Sequence, residues 1–356
     1  MKKICTVLVL LLLWPVLALA AEPDTLQMSF IGDVMSHYRQ LRLARIPGAD
    51  STRASSYDFS SYYTHIRPWL DSSDISVANM EFPVGVVPFS GYPCFSAPSS
   101  LVQESIDAGI DLMLAANNHI LDKGKRGLDS TLSLYSRLPV RYTGAWRDTT
   151  DEWLNNPSII NAKGFRVAFI NFSYGFNGFS VPEPFVLGQM DSLQIKRAIA
   201  RARDRGADYI VALPHWGLEY RLDYSQEQKR WKERLYRWGV DMIVGSHPHV
   251  PQAVEYENGR ITAYSLGNYI SNMSIAYGQV GILLIARLVR LEDGSIETLP
   301  PEIHYLWCGK GGLMEENYSV VPIEEYLDRP EAFRQRSQWE KMKREYSVIK
   351  QKFIKD

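Results

Sequence analysis

Short apolar runs of strand length recur along this chain, each ended by small or polar residues and separated by segments with helical spacing. Residues 26–31, 75–79, 112–115, 209–213 and 242–244 read as buried strands, because brief apolar runs bounded by turn residues suit strands covered on both faces. Helices are predicted over 36–43, over 101–108 with Gly109 closing it, and from Gly124 to about residue 138. Asp191 can cap another, in which Ile195, Ala198, Ile199 and Ala202 recur on one face. Ser225 and Gln228 have capping-box spacing, ahead of a Trp231, Leu235 and Trp238 stripe that Gly239 stops. Residues 158–161 and 165–172 flank Ala162-Lys163-Gly164, which is hairpin turn chemistry. Beyond residue 250 the pattern favours strands at 252–256, 261–265, 281–291 and 295–299, joined partly by Asn258-Gly259 and Asp293-Gly294 turns.

Two segments fall outside this rhythm. Residues 44–64, rich in Ser, Tyr and Arg, predict a surface loop. In the basic tail, Trp339, Met342, Tyr346, Ile349 and Phe353 fit a helical stripe that should dock on the body. Strands alternating with helices predict an α/β fold. The organisation expected is one domain over residues 24–325 and an appended amphipathic helix over 326–356.

Composition adds a compartment. Lys2-Lys3, an apolar core over residues 4–19 and Ala18-Leu19-Ala20 describe a cleavable secretory leader over residues 1–20. That core is short for a membrane span, so the expected mature protein is exported to the periplasm or cell envelope with no transmembrane helix. Cys5 lies inside the basic region of the leader, away from the cleavage point, which argues against lipid attachment. The formal net charge of −1 gives no sign of a nucleic-acid partner. Cys94 and Cys308 remain after the leader; in an oxidising compartment they can pair, and two independent thiols fit equally well. A four-cysteine zinc site is excluded by count, so any metal is held by His, Asn, Asp or Glu.

The polar residues at the strand ends carry the chemistry. Asp33 follows the first strand, Asn79 and Glu81 the second, Asn117, Asn118 and His119 the third, His215 a fourth, and His247 and His249 a fifth. Singly each has a plain reading, such as Asp33 capping the next helix or His247-Pro248-His249 as hydrogen-bonded loop histidines. Pro248 fixes φ and blocks continuation of strand or helix. In an extended segment the two imidazoles would share a face. Sites in open α/β sheets assemble at the carboxyl ends of strands, and carboxylate, amide oxygen and neutral imidazole together suit divalent cations.

Six motifs then resemble the CapA-type poly-γ-glutamate capsule-synthesis family, whose fold is of the calcineurin-like metallophosphoesterase kind. They are Gly32-Asp33-Val34-Met35, Asn79-Met80-Glu81, Ala116-Asn117-Asn118-His119, His215-Trp216-Gly217-Leu218-Glu219-Tyr220, Gly245-Ser246-His247-Pro248-His249 and Tyr264-Ser265-Leu266-Gly267-Asn268. The resemblance covers roughly residues 26–275 and implies a four-layer α/β/β/α sandwich with the motif loops at one edge of the paired sheets. It implies one or two divalent ions (Mn, Zn, Fe or Mg), with Asp33 and His249 on the first, Glu81 or Asn79 bridging, and Asn118, His215 and His247 on the second. His119 would contact the phosphoryl group or protonate the leaving oxygen. Asn117, Asp122, Trp216, Glu219 and Asn268 would support the site, with Glu219 accepting from a ligand imidazole.

Two departures bear on that picture. Met35 stands where phosphoesterases carry the His of Asp-x-His, and Asn79-Met80-Glu81 replaces a Gly-Asp-x-x-Asp bridge. The first ion position is thereby thinned, with His37 or Ser36 as candidate substitutes. The activity implied is a metal-dependent hydrolase on an envelope polymer or phosphoester; the alternative is a non-catalytic component binding an acidic polymer beside other capsule-synthesis components. Arg39, Arg42 and Arg45, three residues apart, are expected either to rim the site for an anionic substrate or to form a solvated basic face.

Overall fold

The computed structural model describes residues 24–353; the leader expected at residues 1–20 lies outside them. In chain order the elements begin β1 (Thr25–Val34), α1 (Tyr38–Ala44), α2 (Arg67–Asp71), β2 (Ile75–Met80), α3 (Ser99–Asp107), β3 (Leu112–Leu114), α4 (Gly124–Tyr135) and β4 (Arg141–Thr143). There follow β5 (Ala145–Trp146), α5 (Thr149–Asn155), β6 (Ser158–Ala162), β7 (Phe165–Ser173), β8 (Val186–Leu187), α6 (Ser192–Asp204), β9 (Tyr209–His215), α7 (Gln226–Arg237) and β10 (Met242–Val244). The last third holds β11 (Val254–Glu257), β12 (Arg260–Ala263), β13 (Asn268–Ile270), β14 (Val280–Arg290), β15 (Ile296–Thr298), β16 (Glu302–Gly309), β17 (Ser319–Pro322), α8 (Ile323–Tyr326) and α9 (Arg336–Phe353).

Two mixed sheets face one another. The first runs β17-β16-β14-β1-β2-β3-β4, with β13 on β1 and β15 on β14; the second runs β11-β12-β10-β9-β7-β6. Between them lies a dry core in which Met28, Phe30, Val77 and Leu112 meet Val167, Phe169, Val211 and Met242. On the outer face of the first sheet, Leu101, Leu128 and Leu132 from α3 and α4 pack with Ala78 and Met113. On the outer face of the second, Ile195, Ala198, Trp231 and Leu235 from α6 and α7 cover Ala168, Ile210 and Ile243. The four layers are the α/β/β/α sandwich that the motifs imply. β1, β2 and β3 are parallel to one another, as are β7, β9 and β10, so their carboxyl ends collect along one edge.

Helix caps follow local chemistry. The Asp191 carboxylate accepts from the Gln194 amide at the start of α6, and Ser225 and Gln228 close a reciprocal capping box on α7. Lys163 and Gly164, both at positive φ, make the β6–β7 hairpin turn. Gly32 and Gly245 are required by contact, since a Cβ on either would sit 1.9 Å from the Gly267 oxygen and 2.3 Å from the Tyr264 oxygen respectively.

Several expectations are corrected. Residues 44–64 are not a surface loop: Tyr57, Phe59, Tyr62 and Tyr63 are buried in the outer core of the first sheet, which the apolar area of four aromatic rings favours over their polar neighbours. Asp33 is an internal residue of β1 and caps no helix; α1 starts after His37, whose backbone amide and side chain meet the Gln40 side chain. The C-terminal helix begins at Arg336, and its Met342, Tyr346 and Ile349 pack in the inter-sheet core. Of the two readings left open for Cys94 and Cys308, the structure has independent thiols: Cys94 donates to the Asp122 carbonyl and Cys308 to the Ser271 carbonyl.

Candidate metal centre

The strand ends bring Asp33, Asn79, Glu81, Asn117, Asn118, His119, His215, His247, His249 and Asn268 into one buried cluster. Glu81 is the common member of two sets whose potential ligand atoms all lie within 4.8 Å of one another: Glu81 with His247 and His249, and Asp33 with Glu81 and His215. Its Oε1 stands 3.7 Å from both His215 Nε2 and His249 Nε2. Asp33 Oδ2 is 3.2 Å from His249 Nδ1 and accepts from the His247 backbone amide at 3.3 Å. Asn79 Nδ2 donates to Asp33 Oδ1 at 2.8 Å and reaches Glu81 Oε2 at 3.4 Å, so an amide joins the two carboxylates.

Backbone geometry places the two histidines. His247 and His249 have φ of 99° and 58°, outside the extended geometry expected around Pro248. Left-handed backbone is uncommon for a residue with a side chain and collects at functional sites where the surroundings over-determine it. Asn268 fixes His249 from both ends: its Oδ1 pairs with His249 Nδ1 at 3.0 Å and its Nδ2 donates to the His249 carbonyl at 3.1 Å.

The neighbours orient the other rings. His215 Nδ1 pairs with Ser246 Oγ at 3.0 Å and its Nε2 with Asn118 Oδ1 at 2.8 Å. His119 Nδ1 pairs with Asp122 Oδ2 at 2.8 Å, and that same oxygen accepts from the Phe95 amide. Asn117 Nδ2 donates to the Met80 carbonyl at 2.9 Å and tethers the third motif to the second. Trp216 is fully buried and donates to the Tyr264 carbonyl beneath the histidine loop.

Burial and mutual repulsion set the charges. Burial, then the neighbouring histidines, push His215 and His247 well below the ordinary imidazole value, so both are neutral lone-pair donors. Burial and then the Asp33 carboxylate push Glu81 upward. Two buried carboxylates thus face each other with no Lys or Arg paired to either among the described residues.

The residues fit a divalent cation. Glu81 Oε1, His247 Nδ1 and His249 Nε2 are buried and without a hydrogen-bond partner. Buried polar atoms are almost always paired, so three converging orphans with acceptor character mark the place for a cation. Imidazole and carboxylate suit borderline divalent ions, whose charge would relieve the repulsion within the Asp33–Glu81 pair.

Some expected residues are not brought to the cluster. Glu219 is exposed at the rim, where its charge helps raise Glu81 and the Tyr220 hydroxyl, and it is bonded to no imidazole among the described residues; the imidazole partners are Ser246 and Asn268 instead. His37 is turned to Gln40 and the Asn272 amide. The three arginines do not share one helix. α1 buries Gln40, Leu41 and Ala44 and ends there, so Arg45 lies past the helix; Arg39 donates to the Gly311 carbonyl, and Arg42 and Arg45 are solvent-exposed.

Other contributors escaped sequence reasoning. Asn171 accepts from the Ala116 amide and donates to the Leu213 carbonyl, joining the two sheets beneath the cluster; its signal was a lone amide within the apolar run 165–172. Asn177, at φ 49°, accepts through its Oδ1 from Asn118 Nδ2 at 3.1 Å. Tyr174 lies over His247, ring centroids 4.5 Å apart. Neither of these last two carried a sequence signal.

Residues 27–273 match the family model described as "Bacterial capsule synthesis protein PGA_cap". Among curated proteins, the capsule biosynthesis protein CapA of Bacillus anthracis is 28% identical over 326 residues, covering 88% of this chain and 73% of that protein. The PGA biosynthesis protein CapA of Bacillus subtilis is 27% identical over 288 residues, covering 79% and 72%. A solved calcineurin-like phosphoesterase, YfkN from Bacillus subtilis, superposes with a TM-score of 0.45 at 14% identity, covering 92% of this chain and 98% of that one. With more than half its length matched to the family model, this chain belongs to the bacterial capsule synthesis protein family PGA_cap.

Proposed function

We propose that this chain is an exported, divalent-metal-dependent hydrolase of capsule synthesis, acting on a phosphoester or amide linkage of an anionic envelope polymer in the periplasm or cell envelope. The observation that carries the reading is the set of orphaned buried donors, Glu81 Oε1, His247 Nδ1 and His249 Nε2. With Asp33 they would hold the first ion, and His215 and Asn118 adjoin through the shared Glu81. A bound divalent ion would polarise the scissile linkage and lower the pKa of water.

The chain's own residues supply the rest. Asp122 holds His119 through Nδ1, leaving Nε2 as the atom that gives a proton to the leaving group or takes one from water. Phe95 packs edge-on against the His119 ring at 4.7 Å and shields that pair from water. Asn118, joined to His215 and to Asn177, fixes the loop that carries His119.

One observation favours the binding-only alternative: Asn79 is a neutral amide between the two carboxylates, which weakens any second ion position. Turnover decides. With Mn or Zn supplied, the protein should hydrolyse a p-nitrophenyl phosphoester or a γ-glutamyl anilide. His119→Gln should lower kcat about 10²–10⁴-fold with metal content unchanged. Metal-loaded protein that turns over neither substrate would leave the binding-only reading standing.

A further inference from the structure

Two tyrosines lie on the candidate ligand rings and open to solvent. Tyr174 packs on His247 at 4.5 Å between ring centroids and more distantly on His215 at 6.4 Å. Tyr220 stacks on His249 at 6.1 Å with the planes 26° apart. Each is 47% exposed, so each keeps accessible ring surface beside the imidazoles. Tyr92, 69% exposed, extends the same surface: it packs against Phe95, which packs against His119.

Tyr220 is held there at a conformational cost. Its φ of 64° is left-handed, and its amide donates to the Pro248 carbonyl between the two histidines at 2.8 Å. An exposed tyrosine gains nothing in core packing from that geometry. Retained strain of this kind marks a side chain whose direction matters.

The charges around these rings are wrong for a run of carboxylates. The charged groups acting on Tyr174 are Glu219 and Glu81, and the Tyr220 hydroxyl feels Glu219 and Glu81. Among the described residues Glu81 has only histidines in ion-pair range, and no Lys or Arg is paired with Glu219. The ion could receive one phosphate or carboxylate, but a polyglutamate chain would lay its remaining carboxylates against Glu219. A sugar ring would bring an apolar C–H face for the aromatic rings and hydroxyls for the phenols to bond, as amphipathic rings on a wet surface favour.

We propose that Tyr174 and Tyr220 form a glycosyl-binding platform, so that the hydrolysed linkage is a sugar phosphoester with its sugar ring laid on one or both tyrosines. This rests on the metal-centre reading and narrows its substrate from envelope polymers in general to phosphorylated glycans.

The test compares dissociation constants, by calorimetry on full-length Mn-loaded protein, for inorganic phosphate, N-acetylglucosamine 1-phosphate and a γ-linked glutamate decamer. The sugar phosphate should bind about tenfold tighter than phosphate, and the decamer more weakly than the sugar phosphate. Tyr174→Ala and Tyr220→Ala should each erase most of the difference between sugar phosphate and phosphate, read as the ratio of the two dissociation constants at matched metal occupancy. Tyr174→Phe and Tyr220→Phe should retain the greater part, which a purely structural role of the hydroxyl would not. Equal binding of phosphate and sugar phosphate by metal-loaded protein, or tighter binding of the decamer, overturns the platform and leaves the metal centre intact. Protein that takes up no metal removes both.

Discussion

His37, His215 and His247 are all held below the ordinary imidazole value, with burial the largest cause in each. For His37 the folded value is about 4 against 6.5 for a free imidazole. The unfolded chain therefore binds the proton first as pH falls. The stability from neutral His37 is complete above pH 6.5 and is lost as pH falls toward 4, a change on the order of 3 kcal/mol. His215 and His247 act with the same sign. Urea unfolding of metal-free protein should show a midpoint that drops between pH 7 and pH 4.5, less steeply in His37→Gln. A midpoint that stays level over that range would contradict the neutral, buried imidazoles. These residues were visible in the sequence as types and positions. Their partners were not, because Ser246 and Asn268 become neighbours of His215 and His249 only through β9, β10 and β13.

Among the elements, those with a strong local signal were legible: the capping box of α7, the Asp191 cap of α6 and the Lys163-Gly164 hairpin. Elements whose stability comes from pairing were not. β13 has three residues, yet it lies beside β1 in parallel register, with Asn268 opposite Asp33. β16 turns from the polar Glu302 and His304 to the buried Tyr305, Leu306, Trp307 and Cys308, and is fixed by antiparallel pairing to β14 and β17. The region 44–64 misled because serines and arginines interrupt its aromatic residues, and the rings, not the average polarity, decide burial. α9 was legible from its stripe. Met342 is fully buried within the inter-sheet core, so Met342→Ala should cost about 2–5 kcal/mol. Chemical unfolding that finds Met342→Ala no less stable than Lys343→Ala would contradict the docking of this helix.

Over the whole molecule, two sheets packed face to face bring strand ends separated by more than two hundred residues into one buried cluster, as in the amide of His247 reaching Asp33. Asn171 locks the sheets together directly beneath it. The α/β class and most of the polar strand ends that meet could be read from the residues, since each strand end carried its own motif; the four-layer sandwich was implied by the family resemblance of those motifs, and Asn171, Asn177 and Tyr174 were not foreseen. Which donors are left unpaired could not, because that depends on sub-ångström placement of side chains from different strands. The central claim is that Glu81, His247 and His249 hold a divalent ion. Elemental analysis of protein purified without chelators at neutral pH, beside His247→Ala and Glu81→Gln, tests it most directly. The account predicts at least one equivalent of a divalent transition metal in the native protein and a loss of about tenfold or more in affinity for each variant. Native protein free of metal, or variants that bind it as tightly as the native chain, would contradict it.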